Sequence, residues 1–242
     1  MLGATCELMV VVRLESSIGD RMGDAPHYSR WLRNHPREPM VPVGVIPTRF
    51  LTFGYIDSSM ARLLTLSGSL RDGSSNTVVL AAAALLAPAG LNISPFGALA
   101  ELPAFNPDLD DDANAPPPAV AHWRSALRDA DMVLISSPEY AHGIPGALKN
   151  ALDWVVGSGE LVGKPVGVVN PSASSRFAFP QLVEVLTVMS AAVIPAATVI
   201  IDLPRRGLTA AQLAADASTA RSLRSVLAAL LAATPDVLSN TR

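Results

Sequence analysis

From Met60 onward, short runs rich in Val, Ile and Leu alternate with longer segments rich in Ala and Leu. That alternation predicts a parallel sheet covered by helices, a β-α unit repeated five times. The predicted strands are Arg62–Ser67, Leu91–Pro95, Met132–Ser136, Pro165–Asn170 and Ala197–Asp202. The third is wholly apolar, which places it centrally, buried on both faces. The intervening helices are expected at about Asn76–Ala87, Ala119–Asp129, Gly146–Val156, Gln181–Ala191 and Thr209–Ala233. Pro88–Gly90 ends the first of these, and Pro145 opens the third, where its missing N–H costs nothing. A Pro- and Asp-rich loop, Gly97–Pro118, joins the second strand to the second helix.

Residues 1–59 show no sustained period of either kind. They hold apolar scraps, a polar stretch from Glu15 to Glu38 and several prolines. The expectation is a two-part chain: an N-terminal extension, 1–59, that is disordered or translated from upstream of a true start at Met60, the alternative being an ordered arm packed on the domain or a partner subunit, and one α/β domain, 60–242. Peptides from His27–Arg49 in the natively produced protein, found by mass spectrometry, would remove the upstream-start version.

Composition narrows the function classes. Half of the 242 residues are hydrophobic and 16% are charged, enough for a sizeable core. A net charge of -3 without a basic stripe argues against nucleic acid as a partner. Cys6 is the only cysteine, so a CxxC redox pair and a thiolate metal site are excluded, and a reducing cytoplasm fits. The most apolar stretches, Val78–Leu91 and Val188–Ile201, are interrupted by proline and too short for a hydrocarbon core of about 30 Å. Neither reads as a membrane helix.

Two loops carry candidate chemistry. The first strand runs through Ser67-Gly68-Ser69-Leu70-Arg71-Asp72-Gly73-Ser74-Ser75-Asn76 straight into a helix. A helix start offers unpaired N–H groups and a partial positive charge, so it suits an anion. Ser69, Ser74 and the Asn76 amide can add donors around a terminal phosphate, and Arg71 can grip two oxygens. The pattern is neither GxxxxGK[ST] nor GxGxxG, which argues against ATP and against a dinucleotide held by the usual fingerprint. Taken alone, the loop also reads as a Ser/Asn-capped helix start with a surface arginine.

The second loop, Ser137-Pro138-Glu139-Tyr140-Ala141-His142-Gly143-Ile144-Pro145-Gly146, follows the third strand. In a flavodoxin-like, doubly wound sheet of order 2-1-3-4-5, ligands bind beyond the strand ends between the first and third strands, where these two loops fall. Two prolines and two glycines stiffen the turn and bring backbone groups close to a ligand, as the edge of a flat ring requires. His142 reads as a solvated loop histidine rather than a catalytic one.

SGSLRxxSxN after the first strand, LPAFNPDLD at Leu102–Asp110 and PEYAHGIPGALKNALDW at Pro138–Trp154 resemble the NADPH-dependent FMN reductase family, with its quinone, azo-dye and chromate reductases. The resemblance covers roughly Arg62 to the C-terminus. It implies a flavodoxin-like five-stranded fold that binds FMN and uses NADPH or NADH as co-substrate. It places phosphate contacts at Ser69, Arg71, Ser74 and Asn76, and isoalloxazine contacts at Pro138, Glu139, Tyr140 and Gly143. It further implies a small-molecule electron acceptor, and a homodimer or homotetramer packed partly through the helix holding Lys149, Asp153 and Trp154.

The implied mechanism is a two-step exchange at one site: hydride passes from the nicotinamide to the flavin, and then from the flavin to a quinone, azo compound or free flavin. No side-chain acid or base is required. Two alternatives stay open: a flavodoxin-type electron carrier for a protein partner, and a cofactor-free module of the same fold. One segment departs from the family. After the fourth strand, where a Gly-rich turn is usual, this chain has Asn170-Pro171-Ser172-Ala173-Ser174-Ser175-Arg176, from which Ser172 is the candidate ring contact. Arg205 and Arg206 are candidates for a nicotinamide 2′-phosphate, although solvated arginines explain them as well.

Overall fold

The computed structural model describes residues 60–110, 115–173, 175–203 and 207–234. The expectations for 1–59 and for Arg205 and Arg206 lie outside the described residues. Five strands, β1 (Ala61–Ser67), β2 (Leu91–Phe96), β3 (Met132–Ser136), β4 (Pro165–Asn170) and β5 (Ala192–Ile200), pair in parallel in the order β2-β1-β3-β4-β5. This is the flavodoxin-like 2-1-3-4-5 arrangement that the family resemblance implied. Six helices connect or follow them: α1 (Ser75–Leu85), α2 (Pro118–Asp129), α3 (Gly146–Asp153), α4 (Ala178–Val188), α5 (Ala210–Ala215) and α6 (Ala217–Ala232).

Strand alternation builds two cores from one sheet. Leu64, Leu66, Val133 and Ile135 point to one face and pack with α2, α3 and α4, while Leu63, Met132 and Leu134 point to the other and pack with α1, α5 and α6. Every residue of β3 is buried, as expected of the centre. The largest buried side chains, Trp123 and Trp154, both sit in the first core, and their indole N–H groups donate to Ala151 O and Pro103 O at 2.8 Å each. Asn150 adds a second fastening there, accepting from Phe105 N at 2.7 Å and donating to Pro103 O at 2.9 Å. The LPAFNP segment is thereby clamped onto α3.

Three elements differ from the sequence reading. β5 begins at Ala192 rather than Ala197, with Pro195 inside it. It is an edge strand, where a missing N–H is tolerated, and its pairing with β4 jumps from Val166↔Val193 to Val168↔Thr198, so the extra residues bulge around the proline. Gly167 lies at this jump, and a Cβ there would come 2.9 Å from Ala197 O. α4 starts at Ala178 rather than Gln181, because a carboxylate from another loop caps it, as described below. The expected last helix is two helices: Asp216 ends α5 and caps α6 by accepting from Thr219 N at 2.8 Å. The Thr219 backbone N–H, followed by the Thr219 hydroxyl, holds the Asp216 carboxyl below its ordinary value.

No helix among the described residues is long and apolar enough to cross a membrane.

Candidate flavin site

The carboxyl ends of β1, β3, β4 and β5 converge on an open cleft of about 890 Å³. Its first wall is the turn between β1 and α1. Gly68 sits where that turn presses on β3 and α3: a Cβ there would lie 2.7 Å from Ser137 Oγ and 3.0 Å from a Leu148 methyl. Gly68 N also donates to Ser136 O at 2.8 Å, extending the β1–β3 pairing into the loop. Inside the turn the buried Ser69 and Ser74 are structural as well as part of the cleft lining. Ser69 Oγ accepts from Arg71 N, and Ser74 Oγ caps α1 by accepting from Asn76 N, both at 3.3 Å. Gly73, at φ 64, supplies the left-handed step that aims the helix start at the cleft.

Asn76 has a narrower role here than the sequence suggested. Its Oδ1 accepts from Ser136 Oγ at 3.0 Å and its Nδ2 reaches Ser74 Oγ at 3.4 Å, so the buried amide ties α1 to β3 while lining the cleft. Arg71 is exposed at the rim, and its guanidinium has no partner among the described residues. Ser69, Arg71, Ser74 and Asn76 therefore stand together, with one cation left uncommitted.

The second wall is the loop after β3. Tyr140 and Gly143 exchange both backbone hydrogen bonds, at 3.0 and 2.9 Å, closing a tight turn whose two central residues, Ala141 and His142, sit at φ 49 and 60. Neither is glycine, so this turn stores strain of about 1–2 kcal/mol per residue. His142 is not simply solvated: its ring stacks on Phe177 with centroids 4.2 Å apart. Pro138, Glu139 and Tyr140 line the cleft, with Tyr140 54% exposed at its edge. Gly143 does not line it; it serves as the far end of the turn, and a Cβ there would meet Gln181 Oε1 at 3.4 Å.

The Glu139 side chain does not face the ligand space alone. Its Oε2 accepts from Phe177 N at 2.7 Å, Ala178 N at 2.9 Å and Ser175 Oγ at 3.2 Å, so it caps α4 from 38 residues away. Those donors hold its carboxyl below the ordinary value, the backbone N–H groups of Ala178 and Phe177 contributing most. Gln181 Oε1 returns the tie by accepting from Ile144 N at 2.9 Å. The proline-rich loop and the start of α4 are thus joined at two points.

The third wall, after β4, comprises Asn170, Pro171, Ser172, Ala173 and Ser175, and Asp202, Leu203 and Gly207 close the far side. Ser172 is where the sequence put it. Asn170, Asp202 and Ser175 were missed, although polar residues ending buried parallel strands are a readable signal. Trp154, in the segment expected to help form an oligomer face, is fully buried within the chain, leaving Lys149 and Asp153 as an exposed ion pair on α3.

A phosphorylated flat-ring compound fits this cleft on two observations. A helix start, three polar side chains and a rim arginine face one end. At the other, Asn170 Nδ2 is the one buried side-chain nitrogen or oxygen among the described residues that lacks a hydrogen-bond partner. A second, smaller hollow of about 280 Å³, between β2 and α2, lies away from both loops.

The comparisons agree with the geometry. Residues 61–204 match the family model described as NADPH-dependent FMN reductase. Over 114 residues the chain is 39% identical to an NAD(P)H-dependent FMN reductase of Pseudomonas aeruginosa, covering 46% of this chain and 60% of that protein. Over 111 residues it is 36% identical to a quinone reductase of Escherichia coli, covering 45% and 58%. The chain thus spans less than two thirds of the curated relatives it matches. Among solved structures, the flavoenzyme NAD(P)H:acceptor oxidoreductase FerB of Paracoccus denitrificans superposes with a TM-score of 0.53 at 24% identity, over 74% of this chain and 98% of that one, which supports the shared fold. With its two loops, its sheet order and a family match that runs from β1 past β5, this chain belongs to the NADPH-dependent FMN reductase family.

Proposed function

We propose that the protein is an FMN-dependent NAD(P)H oxidoreductase of the cytoplasm that reduces a small acceptor such as a quinone, azo compound or free flavin. The observation that carries this reading is the cleft itself: an anion-binding helix start and a stiff proline-rich turn facing one another across β1 and β3. When bound, FMN supplies the hydride chemistry, accepting from a nicotinamide and delivering to the acceptor.

The chain's own residues bind, orient and leave one side open. Ser69, Ser74 and the first turn of α1 would hold the phosphate, with Arg71 folding over it from the rim. The backbone of Pro138–Tyr140 would support the ring, kept rigid by the Tyr140–Gly143 turn and by the Glu139 cap on α4. No group of three or more His, Cys, Asp or Glu that could hold a metal occurs among the described residues, and the scheme asks for none. Tyr140, about half exposed at the edge of the cleft, flanks the opening through which a flat acceptor would enter. Lys149 and Asp153 on α3 are offered as contacts with a second copy, a homodimer or homotetramer being the family's implied assembly.

The test is direct. Protein incubated with FMN and passed through gel filtration should remain yellow and should oxidise NADPH or NADH when benzoquinone is present. Protein that stays colourless at saturating FMN removes the proposal. A retained flavin that is reduced only by another protein, never by a nicotinamide, replaces the enzyme with an electron carrier.

A further inference from the structure

Asn170 ends β4 and is 2% exposed, yet one half of its amide is idle. Its Oδ1 accepts from Ser172 N at 3.0 Å, which fixes which end of the amide is oxygen, and Nδ2 is left without a partner. A buried donor with nothing to donate to is costly in a folded chain and rare. The residue that carries it lines the cleft, with Nδ2 itself covered.

The surrounding backbone shows why a side chain would be needed here. A Gly-rich turn would present N–H groups at the end of β4. In this chain the next residue, Pro171, has no N–H, and the one after, Ser172, spends its N–H on Asn170 Oδ1. The first two residues of the loop therefore offer the cleft no backbone donor, and Asn170 Nδ2 lies beside them.

Position then selects the part of the ligand. β4 lies two strands from β1, across β3. Adjacent strands are ~4.8 Å apart, so the two strand ends are separated by roughly 10 Å. A ligand anchored by its phosphate at the β1 turn and laid across β3 brings its distal, flat end to β4. On an isoalloxazine, lone pairs lie on the pyrimidine side, and the dimethylbenzene edge has none.

Resting on the flavin reading of the cleft, we infer that Asn170 is a ligand-binding residue whose Nδ2 donates to an acceptor on the pyrimidine edge of the ring, substituting for the backbone donors that Pro171 and Ser172 do not offer. The contact is with the ring and is independent of the phosphate. It also orients the flavin, with the pyrimidine side toward β4.

Riboflavin is the probe, because it carries the ring without a titrating phosphate. Affinity is read by quenching of flavin fluorescence in wild type, Asn170→Ala and Asn170→Asp between pH 5 and 8, with a thermal melt to confirm folding. Asn170→Ala should bind riboflavin and FMN with equal loss, about 10-fold, the worth of one buried hydrogen bond. Asn170→Asp keeps the acceptor for Ser172 N but sets an oxygen against the ligand's acceptor. It should bind more weakly than the Ala variant at pH 8 and recover relative to it toward pH 5, as the carboxyl gains a proton it can donate. Arg71, Glu139 and Asp202 line the same cleft, and the Asp-to-Ala ratio at each pH removes what they contribute to both variants alike. In wild type, the Asn170 side-chain amide resonances should shift as riboflavin is added, a measurement that needs no variant. If wild type binds FMN while both variants hold riboflavin within twofold and the amide resonances stay still, Asn170 has no such role. If wild type binds no flavin at all, it is the cofactor reading that fails.

Discussion

Arg71 is the one cation of the β1–α1 turn, and its removal separates phosphate recognition from ring recognition. The guanidinium is exposed and has no partner among the described residues, so Arg71→Ala should leave the fold and the α1 cap untouched. A hydrogen bond to a charged group contributes about 1.5–3 kcal/mol, and solvent at the rim favours the lower half of that range. A loss of about 1.5–2 kcal/mol corresponds to FMN binding roughly 10- to 30-fold more weakly. The rest of the phosphate affinity should persist, because the α1 N–H groups and the serines remain. Riboflavin titrated into the same two proteins supplies the control, since it has no phosphate for Arg71 to meet. Fluorescence titration should therefore show FMN weakened and riboflavin unchanged, and added salt should narrow the difference. Equal weakening of both ligands would mean that Arg71 touches the ring or shapes the loop. An FMN affinity that does not move would place the phosphate elsewhere.

Other predictions follow from the supports of the site. Glu139 is stabilised in its charged form, so its contribution is present above the ordinary carboxyl value of 4.5 and is lost as pH falls through the lower folded value. Wild type should lose thermal stability on acidification below about pH 4.5, and Glu139→Gln should start lower at neutral pH and show a shallower acid decline; parallel melting curves from pH 3 to 7 would refute the cap. Arg124, buried between α2 and α3, donates to Trp154 O through Nε at 3.1 Å and Nη2 at 2.6 Å, and to Asp110 at 2.6 Å. Arg124→Ala should cost about 3–4 kcal/mol in urea unfolding, because it strands a buried carbonyl and a carboxylate together; a loss below about 1 kcal/mol would show that water replaces the guanidinium. Ala141→Gly should raise stability by about 1 kcal/mol by relieving one left-handed non-glycine residue, and a drop would mean that loop entropy outweighs the strain.

Much of the fold was open to reading because it is local. β3 announces its central place by four apolar residues in a row before Ser136, and the serines and glycines after β1 announce a capped helix start. What escaped depends on partners far along the chain. The start of α4 is set by a carboxylate 38 residues upstream, so its own sequence shows a weak cap and suggests a later start. Pro195 looks like a strand breaker until β5 is known to be an edge. Asp216 interrupts a run of Ala and Leu that is otherwise good helix, and only its bond to Thr219 N shows that a second helix begins there. For the site the division is the same. The residues of the two loops were identifiable by type and spacing, but the commitment of Asn76 to Ser136 and the idleness of Asn170 Nδ2 are properties of neighbours, not of motifs.

The reach of Glu139 to α4 bears on how this lineage can change. Because the helix is moored from outside, residues 171–173 are released from holding its first turn in place, and insertions, deletions and loss of glycine there become tolerable. Under the proposed function, acceptor preference could then drift through that segment while the rest of the cleft stays as it was, so related chains should vary most in length between β4 and α4 and least at the position of Glu139.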